Sequence, residues 1–97
     1  MSQKEGFAEQ LKAQGEVWKA QLTDYQQQLE RAGAAARGEY KKALQQMETQ
    51  AQAIHTLLQE VRNVNETAWK DMQAARQKAL AELQKGWADA ISRFVNP

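Results

Sequence analysis

The architecture of this chain depends on the conformation of residues 29–44, LERAGAAARGEYKKAL. Each of its two glycines, Gly33 and Gly38, destabilises a helix interior by about 1 kcal/mol relative to alanine. The segment between them nevertheless contains no Asn, Asp, Ser, Thr or Pro, the residues that commonly build turns. An apolar stripe also crosses it through Ala32 and Ala36, and an inserted step of four residues unwinds a coiled coil locally without ending the helix. We therefore predict one continuous helix through this segment.

The same apolar stripe extends over nearly the whole chain. Its members are spaced by alternately four and three residues, which keeps them on one side of a helix and is typical of helices that pack against other helices. They are Phe7, Leu11, Gly15, Trp18, Leu22, Tyr25, Leu29, Ala32, Ala36, Tyr40, Leu44, Met47, Ala51, Ile54, Leu58 and Val61, then Trp69, Met72, Ala79, Leu83, Trp87, Ala90 and Phe94. The sequence lacks the β-branched runs and turn residues that predict strands, so the fold class is predicted to be all-α.

The stripe is interrupted at residues 62–66, RNVNE. Asn65 can cap a new helix, with Val64 and Trp69 forming a hydrophobic staple. Asn63 offers an alternative cap one register earlier. We place the turn between the helices here.

The two chain ends also carry helix boundary signals. Ser2 and Glu5 fit a capping box, and Pro97 disfavours helix at the residue before it. We predict one helical coiled-coil domain over residues 1–97, with a helix over 3–62, a turn over 63–65 and a helix over 66–95. This domain is a long helical hairpin, an antiparallel coiled coil.

In such a hairpin the first helix extends beyond its partner, so its opening apolar side chains have nothing to pack against. Leaving six of them in water forfeits on the order of 10 kcal/mol, as much as many domains have in total stability. A homodimeric bundle would cover them. The predicted oligomer interface is Phe7, Leu11, Trp18, Leu22, Tyr25 and Leu29. In the alternative fold, residues 33–38 turn after all and the chain closes into a monomeric three-helix bundle.

Composition narrows the classes of function. The formal net charge is +1 with both signs interspersed, so no basic field predicts nucleic-acid binding. The chain has no cysteine, which excludes disulfides and thiol chemistry and is compatible with the cytoplasm. No apolar run reaches the roughly 18 residues that a membrane-spanning helix needs. We predict a cytoplasmic protein.

No catalytic, cofactor-binding or metal site is predicted, and the chain is not expected to be an enzyme. His55 is the only histidine, and without a second His or Cys it is interpreted as a surface side chain. Trp18, Trp69 and Trp87 are interpreted as core residues packed opposite small alanines, with an aromatic surface for a partner or a lipid interface as the alternative. The glutamines at 26–28 and 45–46 are interpreted as a solvated helix face.

Several of these features together resemble a group of small bacterial coiled-coil proteins named after a stress-inducible cyanobacterial member. The residues that carry the resemblance are Trp18, Leu22, Glu39-Tyr40, Ala68-Trp69-Lys70, Trp87 and Ser92-Arg93-Phe94. The resemblance covers nearly the whole chain. It implies a helical intracellular protein linked to stress, without an assigned reaction or site.

The predicted function is that of a non-enzymatic helical assembly or scaffold protein, associated with a bacterial stress response and dimeric through its N-terminal arm. The alternative is a reversible lipid or membrane-surface binder that opens its amphipathic helices. The narrow stripe and the lack of excess Lys and Arg on the polar face favour the first function over the second. An adaptor for one protein client is a third possibility.

Overall fold

The computed structural model describes residues 2–95, which form three long helices. These are α1 (Gln3–Arg31), α2 (Ala34–Asn63) and α3 (Glu66–Val95). They run up, down and up in a rod of 52 × 19 × 16 Å. The prediction of an all-α fold is confirmed for this part of the chain, and the architecture is the three-helix bundle that was the alternative prediction. The predicted stop at Asn96-Pro97 lies outside the described residues.

The continuous helix predicted over residues 3–62 is wrong at Ala32 and Gly33. Both residues are extended, with φ/ψ of −73°/145° at Ala32 and −69°/164° at Gly33. The Ala32 amide donates to the Leu29 carbonyl at 3.2 Å, and the Gly33 carbonyl accepts from the amides of Ala36 and Arg37 at 3.1 Å each. Two residues with ordinary negative φ therefore reverse the chain. The turn forms without Asn, Asp, Ser, Thr or Pro, the turn-building residues that are missing between Gly33 and Gly38. Gly38, the second glycine, lies inside α2.

The starts of α1 and α3 follow side-chain caps. The Glu5 amide donates to Ser2 Oγ at 3.1 Å at the start of α1. At the start of α3, the Ala68 amide donates to Asn65 Oδ1 at 2.8 Å, and the Trp69 amide donates to the Asn65 carbonyl at 2.9 Å. Asn65 is thus the N-cap of α3, because its side chain satisfies one of the first-turn amides that a helix leaves without an acceptor.

Folding back at Gly33 lets α1 bury its own apolar stripe. Phe7, Leu11 and Trp18 are buried, and Leu22, Tyr25 and Leu29 are half-buried against the same core. These are the six residues of the predicted oligomer interface. One chain can therefore cover these side chains with its own helices. Their burial also explains the turn, because it outweighs the few helical hydrogen bonds lost at Ala32 and Gly33.

Aromatic pairs connect α1 to α3 along the rod. The ring centroids of Phe7 and Trp69 lie 5.1 Å apart, and the indoles of Trp18 and Trp87 stack at 4.5 Å with an interplanar angle of 3°. Near the other end, Tyr25 and Phe94 lie 4.4 Å apart. The interpretation of the tryptophans as core residues is confirmed by their burial. These large side chains meet other large side chains, and the prediction that they lie opposite alanines is wrong for Trp69 with Phe7 and for Trp18 with Trp87.

Candidate interaction surfaces

A groove between α1 and α2 has a volume of about 680 Å³. Its floor is apolar and is lined by Leu11, Gly15, Leu22, Ala51, Ile54 and Leu58. Gly15 occupies a stripe position without a side chain, and a Cβ built there would lie 3.7 Å from Ile54 Cγ2, an ordinary van der Waals distance. Two of the residues that line the groove, Gly15 and Ala51, are small, which leaves space between the helices.

The rim of this groove carries both signs of charge. Its edges are lined by Lys12, Glu16 and Lys19 of α1 and by Glu48 of α2. His55 also lies on the rim, exposed as predicted, with its Nε2 3.1 Å from Gln59 Nε2. A mixed rim above an apolar floor suits an apolar side chain or chain segment of a partner better than a strongly charged ligand.

Glutamines join the helices at three places. Gln46 Nε2 donates to the Gly86 carbonyl at 2.9 Å between α2 and α3. Between α1 and α3, Gln84 Nε2 donates to Gln14 Oε1 at 3.2 Å, and Trp87 Nε1 donates to Gln21 Oε1 at 2.8 Å. The Trp87 bond satisfies the one polar atom of a buried indole. The interpretation of the glutamines at 45–46 as a solvated helix face is therefore wrong for Gln46. The glutamines at 26–28 are exposed, as predicted.

A second recess of about 490 Å³ lies between α2 and α3. Arg76 Nη1 meets Glu60 Oε2 at 2.7 Å on its wall. Gln50 lies close over Gly86, where an added Cβ would come within 2.5 Å of its amide nitrogen. Farther along, the Tyr40 hydroxyl donates to the Phe94 carbonyl at 3.3 Å, and Arg93 Nη1 lies 3.6 Å from Glu39 Oε2. These contacts hold α3 against α2, and sequence spacing alone did not predict them because they join positions 16 (Glu60 and Arg76) to 54 (Tyr40 and Phe94) apart on different helices.

Residues 2–95 contain no cluster of three or more His, Cys, Asp or Glu side chains placed to hold a metal ion. Among these same residues, none of the helices combines the length and the apolar character needed to cross a bilayer. The surfaces described above offer helix packing and shallow apolar contact.

Comparison of the chain with protein-family models, with curated proteins and with solved structures finds no match to any of them. The resemblance to the bacterial stress-response coiled-coil group therefore stays a prediction.

Proposed function

We propose that this protein is a non-enzymatic helical assembly protein that acts by self-association, in the cytoplasm and as part of a bacterial stress response. Its binding chemistry is the packing of one amphipathic helix against two others. The stress link is supported by the resemblance in sequence and by nothing in the fold.

The observation that carries the proposal is the way in which α1 is bound. The α2–α3 hairpin presents Trp69, Trp87 and Phe94 at intervals along one side, and each receives an aromatic side chain of α1. Burial of each large apolar side chain contributes roughly 1.5–3 kcal/mol. The hairpin is thus a strong receptor for a helix with the sequence of α1, wherever that helix comes from.

A second candidate function, reversible binding of a lipid surface, is favoured by the α1–α2 groove. Its apolar floor is open to solvent and Lys12 and Lys19 stand on its rim. Anionic lipid attracts such lysines, but Glu16 and Glu48 on the same rim oppose that attraction. The apolar stripe of all three helices also faces the core, so a membrane would have to open the bundle first. Self-association is therefore the better supported of the two.

Sedimentation equilibrium over a wide concentration range tests the proposal on the full chain. We expect a concentration-dependent species heavier than the 11.0 kDa monomer. A single 11 kDa species at every concentration contradicts self-association. In parallel, vesicles of anionic phospholipid should leave the tryptophan emission unchanged, since all three indoles are buried; a large emission shift together with co-flotation would favour lipid binding instead.

A further inference from the structure

The connection between α1 and α2 has the features of a hinge. It consists of two extended residues, Ala32 and Gly33, and Gly33 caps α2 without a side-chain hydrogen bond. A Cβ at Gly33 would meet no atom within 4 Å, and no residue of the described chain needs a positive φ. Nothing at this turn opposes a helical conformation of the same residues, and three alanines follow it.

A straight connection would also join two helix ends. Apart from the bonds that the amides of Ala32, Ala36 and Arg37 make, the last carbonyls of α1 and the first amides of α2 have no intrahelical partners while the chain is bent. In a continuous helix they would bond to one another. The apolar stripe stays in phase across the connection, passing from Leu29 through Ala32 and Ala36 to Tyr40 by steps of three and four. One long helix would therefore still present one apolar face, and this is the pattern that predicts a continuous helix over 3–62.

We propose that α1 exchanges between two copies of this chain, opening at Ala32–Gly33 so that the α2–α3 hairpin of each copy binds α1 of the other. The proposal rests on the proposed self-association and states its mechanism. The partner is a second copy because the receptor surface already fits this helix: Trp18 stacks on Trp87, Gln21 accepts from Trp87, and Gln14 accepts from Gln84. Each of these contacts is made by side chains and can form between copies unchanged.

The register of the bundle is compatible with this exchange. Gly15 packs near Ile54, and the midpoint between these two positions falls between Ala34 and Ala35, just after the hinge. A two-fold axis that passes two straightened chains at this point brings Gly15 of one copy to Ile54 of the other in the same antiparallel pairing. The long helices would be about 90 Å, against 52 Å for the closed bundle. Short hinge loops are known to favour this type of swapping.

Two neighbouring substitutions should move the equilibrium in opposite directions. Gly33→Ala stabilises a helix interior at each of the two hinges, so we expect the association constant to rise by about 30-fold. Ala34→Pro places proline at the first position of α2, where proline is favoured, and holds Gly33 in the extended conformation it already has. Proline would break a continuous helix, so association should fall on the order of a thousandfold or more.

The Ala34→Pro variant is the matched control, because it keeps the closed bundle and changes no residue of the α1 stripe. The melting temperature of its monomer should equal or exceed that of the unmodified monomer. A side-by-side dimer, held together by surfaces of the closed bundle, would respond to neither substitution.

A cross-linking experiment with two mixed variants tests whether α1 of one copy binds α3 of the other. Gln14→Cys and Gln84→Cys are made in separate chains, and each chain then has a single cysteine. The two proteins are mixed, incubated to equilibrium and treated with a short bifunctional maleimide, which cross-links two cysteines that lie close together. We expect covalent heterodimers, more of them with Gly33→Ala and very few with Ala34→Pro. If the protein dimerises but the Ala34→Pro chains dimerise and cross-link equally well, exchange of α1 is wrong and self-association stands. If every variant, including Gly33→Ala, stays monomeric, both proposals are wrong.

Discussion

Replacing Gly15 with alanine should make the bundle more stable. Gly15 lies in the middle of α1, has an ordinary helical conformation and borders the groove between α1 and α2. Alanine is better than glycine in a helix interior by about 1 kcal/mol. The new methyl group would lie 3.7 Å from Ile54 Cγ2, at van der Waals contact, and would add up to about 0.8 kcal/mol by burial.

We therefore expect Gly15→Ala to raise the free energy of unfolding by about 1–2 kcal/mol, which corresponds to a rise in melting temperature of roughly 5–10 °C for a domain of this size. Urea and thermal unfolding followed by far-UV circular dichroism measure both quantities. The measurement is made at low protein concentration, so that association does not contribute to the stability.

Gly38→Ala is the matched control for this experiment. Gly38 lies inside α2, is exposed, and a Cβ there would meet no atom within 4 Å. Its substitution should add the helix-propensity gain alone, so Gly15→Ala should be the more stabilising of the two. A Gly15→Ala protein less stable than the unmodified chain would refute the reasoning, because it would mean that α1 and α2 approach more closely at this point than the structure shows.

The remaining predictions concern the core and the helix caps. Trp18→Ala should lower the free energy of unfolding by about 3–5 kcal/mol, because it leaves a cavity against Trp87. Val17 is the neighbouring residue and is 50% exposed, so Val17→Ala should change the free energy of unfolding by less than about 1 kcal/mol. Chemical denaturation compares the two variants. Asn65→Ala should cost about 1 kcal/mol by removing the cap of α3, and Asn65→Asp should restore most of it since a carboxylate accepts the same Ala68 amide. Equal loss with alanine and aspartate would show that the cap bond is not what Asn65 contributes.

Much of the fold follows from local features that a reader of the sequence can find. The three-and-four spacing places twelve of the sixteen residues that are buried in the described chain on one stripe, and the other four, Ala8, Ala43, Leu57 and Leu80, lie beside it. The cap of α3 is also local, because Asn65 and the Ala68 amide are three residues apart. Exposure of His55 follows from its position beside the stripe.

The contacts of the glutamines could not be predicted in this way. In the sequence, Gln21 and Gln46 are ordinary polar helix residues, and each is half-buried and hydrogen-bonded because α3 passes beside it. The stack of Trp18 on Trp87 joins positions 69 apart, and it depends on α1 and α3 running parallel. A sequence pattern assigns side chains to a face, but it does not state which helix that face meets.

The conformation at Ala32 and Gly33 shows most clearly the difference between local sequence signals and long-range packing. The residues themselves determine an all-α chain with an apolar stripe, and locally they are as compatible with a straight helix as with a bend. The choice is made by long-range burial: a chain that bends can cover Phe7, Leu11 and Trp18 with its own second and third helices. This free energy depends on residues far from the hinge, such as Phe94, 61 positions after Gly33, so no inspection of the two hinge residues could reveal it.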